Sequence, residues 1–444
     1  MNKAAAPDTN CGDVCPDLGL EMHGWARDLF PICRSLTGPG VRETLTYFNK
    51  ILGGITIQSV PSGEQVFDWV VPEEWVIRDG YVCDEKNVKI IDFRNCNLHV
   101  VGYSEPVDQW LSLEELQHHL YSLPDLPDAI PYVTSYYKRR WGFCIAENQR
   151  RMLKPGRYHA VVDSTLAPGN LNYGELVLPG RSSKEVFLST YVCHPSMANN
   201  ELSGPVVTAA VARWLLSLAD RKYTYRIVFL PETIGSIAYL SRHLEHLKSQ
   251  VIAGFNVTCI GDDRCYSYLP SRNGNTLADR VALHVLAHIS PDFKKYSYLD
   301  RGSDERQYCS PGVDLPIATI MRSKYHEYPE YHTSLDDLSL VTPSGLLGGF
   351  EALSKAIAAI ECNAIPLATV LGEPQLGKRG LYPTLGTRDS EPSVKMMMDL
   401  IAYSDGAHSL LDIAEKIGTP IWNLVPTYRK LLEHGVLRSG DENY

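Results

Sequence analysis

From Gly180 onward the chain alternates apolar runs too short to be helices with helical segments of three or more turns, and few folds accept that pattern. The short runs are EVFLSTYVC (185–193), YRIVFLPE (225–232), VIAGFNVTCI (251–260) and LPIATIM (315–321); residues 204–219, 235–248, 275–288 and 343–361 are the helical ones. The alternation predicts an α/β layer around a largely parallel sheet buried on both faces. Functional residues of such sheets gather beyond the carboxyl ends of the strands.

The rest of the chain has other textures. Residues 20–52 read as two amphipathic helices joined at Ser35-Leu36-Thr37-Gly38-Pro39-Gly40, and 18–69 is expected to form the amino-terminal part of the core domain. Short β-like pieces (VKIIDF, LHVVGY, GRYHAVVDS, GELVLPG) with one helical patch at 112–122 predict an inserted β-rich lid domain over 70–180. The core domain is then expected over 181–370. Beyond a Pro/Gly-rich linker (372–386), residues 387–444 show three helices and a β-like tail, the pattern of a winged helix. Only Arg429 and Lys430 are basic in its last helix, so the module is expected to dock or to join copies into a homo-oligomer rather than to read DNA.

Charge and cysteine content narrow the function classes. With 42 Lys+Arg against 52 Asp+Glu the net charge is −10, which gives no general attraction to nucleic acid or to anionic membranes. The start, MNKAAAPDTNCGDVCPDLG, lacks the apolar core of a secretory signal, and the longest apolar run is broken by Arg213, so a cytoplasmic protein without membrane partners is expected. Eleven cysteines, an odd number, fit reduced thiols; Cys11 and Cys15 form a C-x3-C pair with no second pair, a weak zinc signal.

Unusual polar residues sit where strands should end. CHPSMANNE follows the first run, PETIGS (231–236) the second, NVTCIGDD (256–263) the third, and RGSDERQY (301–308) with EYPEYHTSLDD (327–337) come late. In a parallel sheet His194, Glu201, Glu232, Asp262, Asp263 and His332 can converge on one rim, and two His with carboxylates are donors zinc accepts for hydrolysis. Glu232, placed directly after an apolar strand, suits a general base, because partial burial raises a carboxylate's pKa; a helix-start glutamate favoured by the macrodipole is the plainer alternative. A single histidine is more often structural than a ligand. Cys193 and His194, adjacent on a strand, would point to opposite faces and so could not share a proton. No G-x-S-x-G elbow or phosphate-binding glycine loop occurs.

The order His194, ANNELSG (198–204), Glu232 in ETIGS, SDE (303–305) and YHTSLDD (331–337) resembles the zinc aminopeptidase-like exopeptidases. Longer stretches, STYVCHPSMANNELSG, VFDWVVPEEW (66–75), DRCYSYLPSR (263–272) and the RSKY and EYPEYHTSLDDL segments, are similar to a bacterial group of uncharacterised aminopeptidase-like proteins associated with polysaccharide biosynthesis. The resemblance spans nearly the whole chain. It implies a three-layer hydrolase-type α/β core with a mostly parallel sheet, an inserted β-rich domain and a carboxyl-terminal winged helix.

The resemblance also implies roles for residues. His194 and His332 fall on metal-ligand positions and Glu232 on that of the catalytic base. The bridging aspartate position falls on Asn200, the second Glu of the E-E pair on Thr233, and the strand aspartate on Asn256 or Thr258. Without those carboxylates one metal ion is expected instead of two, zinc first and iron or another divalent metal next. Glu201 is the candidate third ligand, with Asp262 or Asp263 in reserve. Asn200, Asp304, Arg306, Tyr308 and Tyr331 are expected around the substrate, a short peptide, aminoacyl or N-acyl conjugate. The rival reading is a catalytically silent protein that binds an amino acid or sugar conjugate.

Overall fold

The computed structural model describes residues 16–381 and 391–440; Cys11 and Cys15 lie outside them. Eight strands make the central sheet: β1 (Thr56–Pro61), β2 (Asn170–Leu178), β3 (Glu185–Tyr191), β4 (Thr224–Leu230), β5 (Val251–Asn256), β6 (Ser267–Leu269), β7 (Lys294–Lys295) and β8 (Ile317–Met321). Their spatial order is β1-β2-β4-β3-β5-β8-β6-β7. The middle four, β4, β3, β5 and β8, run parallel, while β1, β2 and β6 are antiparallel to their inner neighbours.

Burial explains the apolar runs. All seven residues of β3 are buried, as a strand covered on both faces must be. Leu188, Ile227, Phe229 and Phe255 pack with the helices Pro16–Leu29, Pro39–Leu52, Ser203–Ser217, Leu277–Ile289 and Pro343–Cys362. The alternate residues Phe187, Val228 and Leu230 pack with the Ile234–Gln250 helix and the insertion on the other face. This two-residue alternation makes the three layers.

The insertion holds a four-stranded antiparallel sheet, Lys89–Asp92, Glu74–Asp84, Arg157–Ala167 and Val107–Ser112 in that order. Its boundary differs from the expected 180. Asn170–Leu178 is hydrogen-bonded between β1 and β4 in the core sheet, so the chain re-enters the core after Pro168-Gly169. Antiparallel strands of two sheets joined by so short a link have the same texture, and only the pairing separates them.

The winged-helix module also begins earlier than 387. Its tail strand Leu437–Ser439 pairs with Pro366–Ala368, on the near side of the linker. Its helices Glu391–Ala402, Leu410–Ile417 and Ile421–Glu433 share the core's hydrophobic cluster. Ion pairs from Arg280 to Asp412 and Glu415 and a hydrogen bond from Ile421 N–H to His284 Nε2 (2.9 Å) fix this docking. No described helix is long and apolar enough to cross a membrane.

Candidate metal centre and cavity

Strand β3 delivers His194 to the sheet rim, and the chain then turns sharply. Residues Ala198–Leu202 form one π-helical turn that runs into the Ser203–Ser217 helix. Such turns leave backbone groups unpaired, and Asp336 meets them: its carboxylate accepts from the N–H groups of Ala198 (3.2 Å), Asn199 (2.6 Å) and Asn200 (2.9 Å). Burial nevertheless pushes Asp336 up to about 6. Gly204 lets the helix sit tight on the sheet, since a Cβ there would stand 2.4 Å from the Val257 carbonyl oxygen.

His194 is buried and held from one side. Its Nδ1 lies 2.9 Å from Glu201 Oε2, and Glu201 Oε1 stands 3.3 Å from Arg34 Nε in an ion pair sealed from solvent. Arg34 also donates to the carbonyls of His194 (3.0 Å) and Leu29 (2.7 Å). Burial opposes a charged ring at His194, but Cys193 and Glu201 beside Nδ1 outweigh it and raise its basicity well above the ordinary imidazole range. The Cys193 Sγ lies 3.4 Å from Nδ1, against the expectation of opposite faces, because the strand ends at Tyr191 and its alternation no longer applies. The other ring nitrogen, Nε2, is 3.6 Å from Glu232 Oε2.

His332 arrives from the late loop with a positive φ of 57°. Its ring centroid is 5.5 Å from that of His194, Tyr331 stacks on it at 3.9 Å, and Tyr132 stands edge-on to both histidines at 5.2 Å. Its Nε2 is buried with no hydrogen-bond partner among the described residues. Burial, with His194 and His326 nearby, lowers its pKa to about 2, so the ring is neutral with a free lone pair.

Glu232 ends the β4 segment on a strained turn. Thr233 has φ 63° and ψ −78°, and Ile234 N–H reaches back to the Glu232 carbonyl at 2.8 Å, which is the rare γ-turn with positive φ. Asp304 holds the turn from beneath, accepting from Thr233 N–H (2.7 Å) and the Ser236 hydroxyl (2.8 Å). Arg306 donates Nη2 to Thr233 Oγ1 at 2.9 Å. Burial raises the Glu232 carboxyl above its ordinary range, while His194, Arg306 and Ser303 pull it back. Asp304 is pushed up to about 7 by burial and by Glu232. Ser196, Cys259 and His332 share the positive φ of Thr233, so four loops of this rim store backbone strain, a recurrent property of working sites.

His194, Glu232 and His332 line one cavity of about 320 Å³, with Trp69, Tyr132, Tyr136, Tyr137, Thr233 and Arg306 among its other walls. The structure distributes the remaining expected residues differently. Glu201 bonds the Nδ1 side of His194, away from the nitrogen that faces Glu232. Asp262 is saturated by Asn199, Arg264 and Ser323, and Asp263 bonds Thr342 and Ser344. Tyr308 is fully buried against Ser189, 2.7 Å away, and Asp304 supports Thr233; neither lines the cavity. Asn200 takes Asp336 on its N–H and gives its amide N–H to Tyr191, leaving Oδ1 buried and unpartnered. Asn256 is bonded to Glu305 at 3.0 Å. The sequence reading missed Arg34 and Tyr132; the buried glutamate beside a histidine was the one signal that a cation must lie near.

The donors can be tested for a metal. Among the described residues one trio brings its ligand atoms within 4.8 Å of one another: Cys193, His194 and Glu201. Arg34 already neutralises that glutamate, and burial pushes the Cys193 thiol up to about 11, so this trio suits a cation poorly. The cavity side offers other donors, a neutral His332 with an orphan nitrogen, His194 and Glu232, although these three do not bring their ligand atoms within 4.8 Å of one another as that trio does. Glu232 is the one carboxylate among the residues lining that cavity, too few to offset the repulsion of two dications.

Residues 23–363 match the family described as Domain of unknown function (DUF4910), and residues 364–439 match a winged helix-turn-helix family. A Clostridium acetobutylicum protein, provisionally named a polysaccharide biosynthesis protein with aminopeptidase-like domain, is 42% identical over 404 residues, covering 90% of this chain and 92% of its own. A crystal structure from the same organism, provisionally called a peptidase, superposes with a TM-score of 0.90 at 39% identity, covering 96% of this chain and 97% of that one. The zinc aminopeptidase BSAP of Bacillus subtilis shares the core fold, with a TM-score of 0.55, 12% identity, and coverage of 77% and 94%. The chain therefore belongs to the DUF4910 family, an aminopeptidase-like α/β fold carrying a winged helix at its carboxyl end.

Proposed function

We propose that the chain is a hydrolase of amide or peptide bonds that uses one divalent ion, zinc or iron, held by His194 and His332, with Glu232 as general base. The observation that carries this reading is the meeting of three features at one cavity: an orphan imidazole nitrogen on His332, the second imidazole of His194, and the half-buried Glu232 carboxylate 3.6 Å from it. The peptidase-type fold supports it.

When bound, the ion would polarise the substrate carbonyl and acidify water. Glu232 accepts a proton from the attacking water and passes it to the departing amine nitrogen; the C–N bond breaks, one water is consumed, and an acid and an amine leave. Burial tunes Glu232 for this by weakening the carboxylate's hold on its charge. Glu201 takes the part of orienter: it fixes the His194 ring through Nδ1, and Arg34 fixes Glu201. The Tyr132 and Tyr136 hydroxyls, 3.1 Å apart, are kept protonated by burial and can donate to a developing oxyanion.

A second reading has one observation in its favour. Asn256 and Thr258, one or the other of which falls on the strand-aspartate position that the resemblance implies, are engaged in hydrogen bonds of their own, as befits a pocket that only binds. Elemental analysis separates the two. About one zinc or iron per chain, lost in His332→Ala with the fold intact, supports the hydrolase; a metal-free chain after incubation with zinc at neutral pH sinks it and leaves the binding protein.

A further inference from the structure

The cavity beside Glu232 contains a guanidinium that enters no ion pair among the described residues. Arg306 donates Nε to the Ser303 carbonyl (3.0 Å) and Nη2 to the Thr233 hydroxyl (2.9 Å), both neutral acceptors. Glu232 and Asp304 lie close enough to feel its charge but are not bonded to it. A guanidinium has five N–H donors, and two are engaged, so three remain, including both on Nη1. The side chain is thus braced from behind with a donor fork left over at a cavity it lines.

The other walls are aromatic. Trp69 and Tyr137, 42% and 52% exposed, stand with ring centroids 6.2 Å apart at this cavity. The Tyr137 hydroxyl donates to the Val70 carbonyl (2.7 Å), tying the hairpin strands Gln65–Val66 and Trp69–Val70 to the other wall. Phe67 and Tyr136 hold positive φ of 52° and 43°, so both walls are conformationally constrained. Glu232 is the one carboxylate among the lining residues, and it is the base in the reading above. A substrate's free α-ammonium would find no other anion to receive it and would meet Arg306 instead.

We propose that this site selects conjugates with a carboxylate next to the scissile amide, a blocked amine, and a planar or apolar group laid against Trp69 and Tyr137: N-acyl amino acids rather than peptides with free amino termini. The inference rests on the amide-hydrolase reading and names its substrate class. Arg306 is the carboxylate-binding residue, because its planar fork matches two oxygens at once.

Calorimetric titration of the full chain tests this with N-acetylphenylalanine (anion), its neutral amide, phenylalaninamide (cation) and inorganic phosphate. The anion should bind at least about tenfold more tightly than the neutral amide, the worth of a charge-assisted hydrogen bond. Arg306→Gln should erase that preference, Arg306→Lys should keep part of it, and melting curves should show both variants folded. The inference is overturned if phenylalaninamide binds best, if the preference survives Arg306→Gln, if phosphate binds as well as the anion, or if the anion does not saturate the protein at millimolar concentration. Turnover is measured separately: a carboxylate preference without turnover takes down the hydrolase reading alone, and turnover of phenylalaninamide without that preference takes down this inference alone.

Discussion

Carboxylates at one sheet rim, Asp262 and Glu305 buried and Glu232 half-buried, are treated in opposite ways. Asp262 accepts from the Asn199 amide (3.0 Å), Arg264 N–H (2.9 Å), Ser323 N–H (2.9 Å) and the Ser323 hydroxyl (2.8 Å). Glu305 is surrounded likewise, by Asn256, the N–H groups of Gly302 and Ser303, and the Tyr325 hydroxyl. Among the described residues no backbone N–H reaches the Glu232 carboxylate; Ser303 and the nearby charges of His194 and Arg306 are what restrain it, and it opens on the cavity. Saturation by fixed donors makes a carboxylate a structural pin, whereas an undersupplied one keeps lone pairs for a proton that arrives during reaction.

The sharpest way to break this contrast is to neutralise one of each. Glu232→Gln should lower hydrolysis by about 10²- to 10⁴-fold, the usual worth of a general base, without lowering the melting temperature. Asp262→Ala should do the reverse, leaving four donors unpaired and unfolding at markedly lower denaturant while the surviving folded fraction turns over normally. Rate and unfolding curves on the same preparations decide it. If Glu232→Gln unfolds like Asp262→Ala, Glu232 is a pin as well.

Next in size is the pair behind His194. Glu201→Ala leaves the Arg34 guanidinium buried without its partner, and removing one member of such a pair costs about 3–5 kcal/mol. Urea unfolding measures it. The double change Arg34→Met with Glu201→Leu should regain most of that stability, since no charge is then stranded, yet leave His194 unoriented and slow. Recovery of both would mean that Glu201 does not orient the ring.

This pair also marks how far the sequence could be read. His194, Glu232 and His332 were legible because each stands where an apolar or motif-bearing stretch ends, and the parallel-sheet pattern sends such ends to one rim. Arg34 was not, because it lies 160 positions from His194, whose carbonyl it bonds, in a turn between two helices that carries no local sign of the charge it must meet. Tyr132 and Tyr136 sit in an aperiodic part of the insertion, where spacing says nothing about direction. Glu201 was read as a ligand because sequence shows that a carboxylate adjoins Asn200; only coordinates show which imidazole nitrogen it faces.

The same contrast holds for histidines, with a smaller effect. His332 has an orphan nitrogen at the cavity, while His284 accepts the Ile421 N–H and so helps dock the winged helix. Burial, His288 and Arg280 lower His284 to about 4, below the usual 6.5, so the stability it contributes is complete above pH 6.5 and is lost as pH falls toward 4. Allowing for screening at the edge of the interface, that loss is about 2 kcal/mol. Hydrogen exchange or limited proteolysis of the 391–440 module across this range should show acid release that His284→Gln weakens; unchanged protection down to pH 4 would mean that the other contacts carry the docking alone.

The smallest effect probes the strain beneath Glu232. Thr233 keeps φ 63° only because Asp304 holds its N–H and Arg306 its hydroxyl. Thr233→Gly relaxes the backbone, which is worth about 1–3 kcal/mol, and gives back roughly 1 kcal/mol through the greater freedom of glycine in the unfolded chain. The net change should be a gain of up to about 2 kcal/mol in unfolding free energy. Turnover should fall nonetheless, because the γ-turn that aims Glu232 and the hydroxyl that braces Arg306 are both weakened. A stabilised but slower variant would show that the rim spends stability on the direction of one carboxylate; a destabilised one would mean that the Arg306 contact, not the backbone, governs this turn.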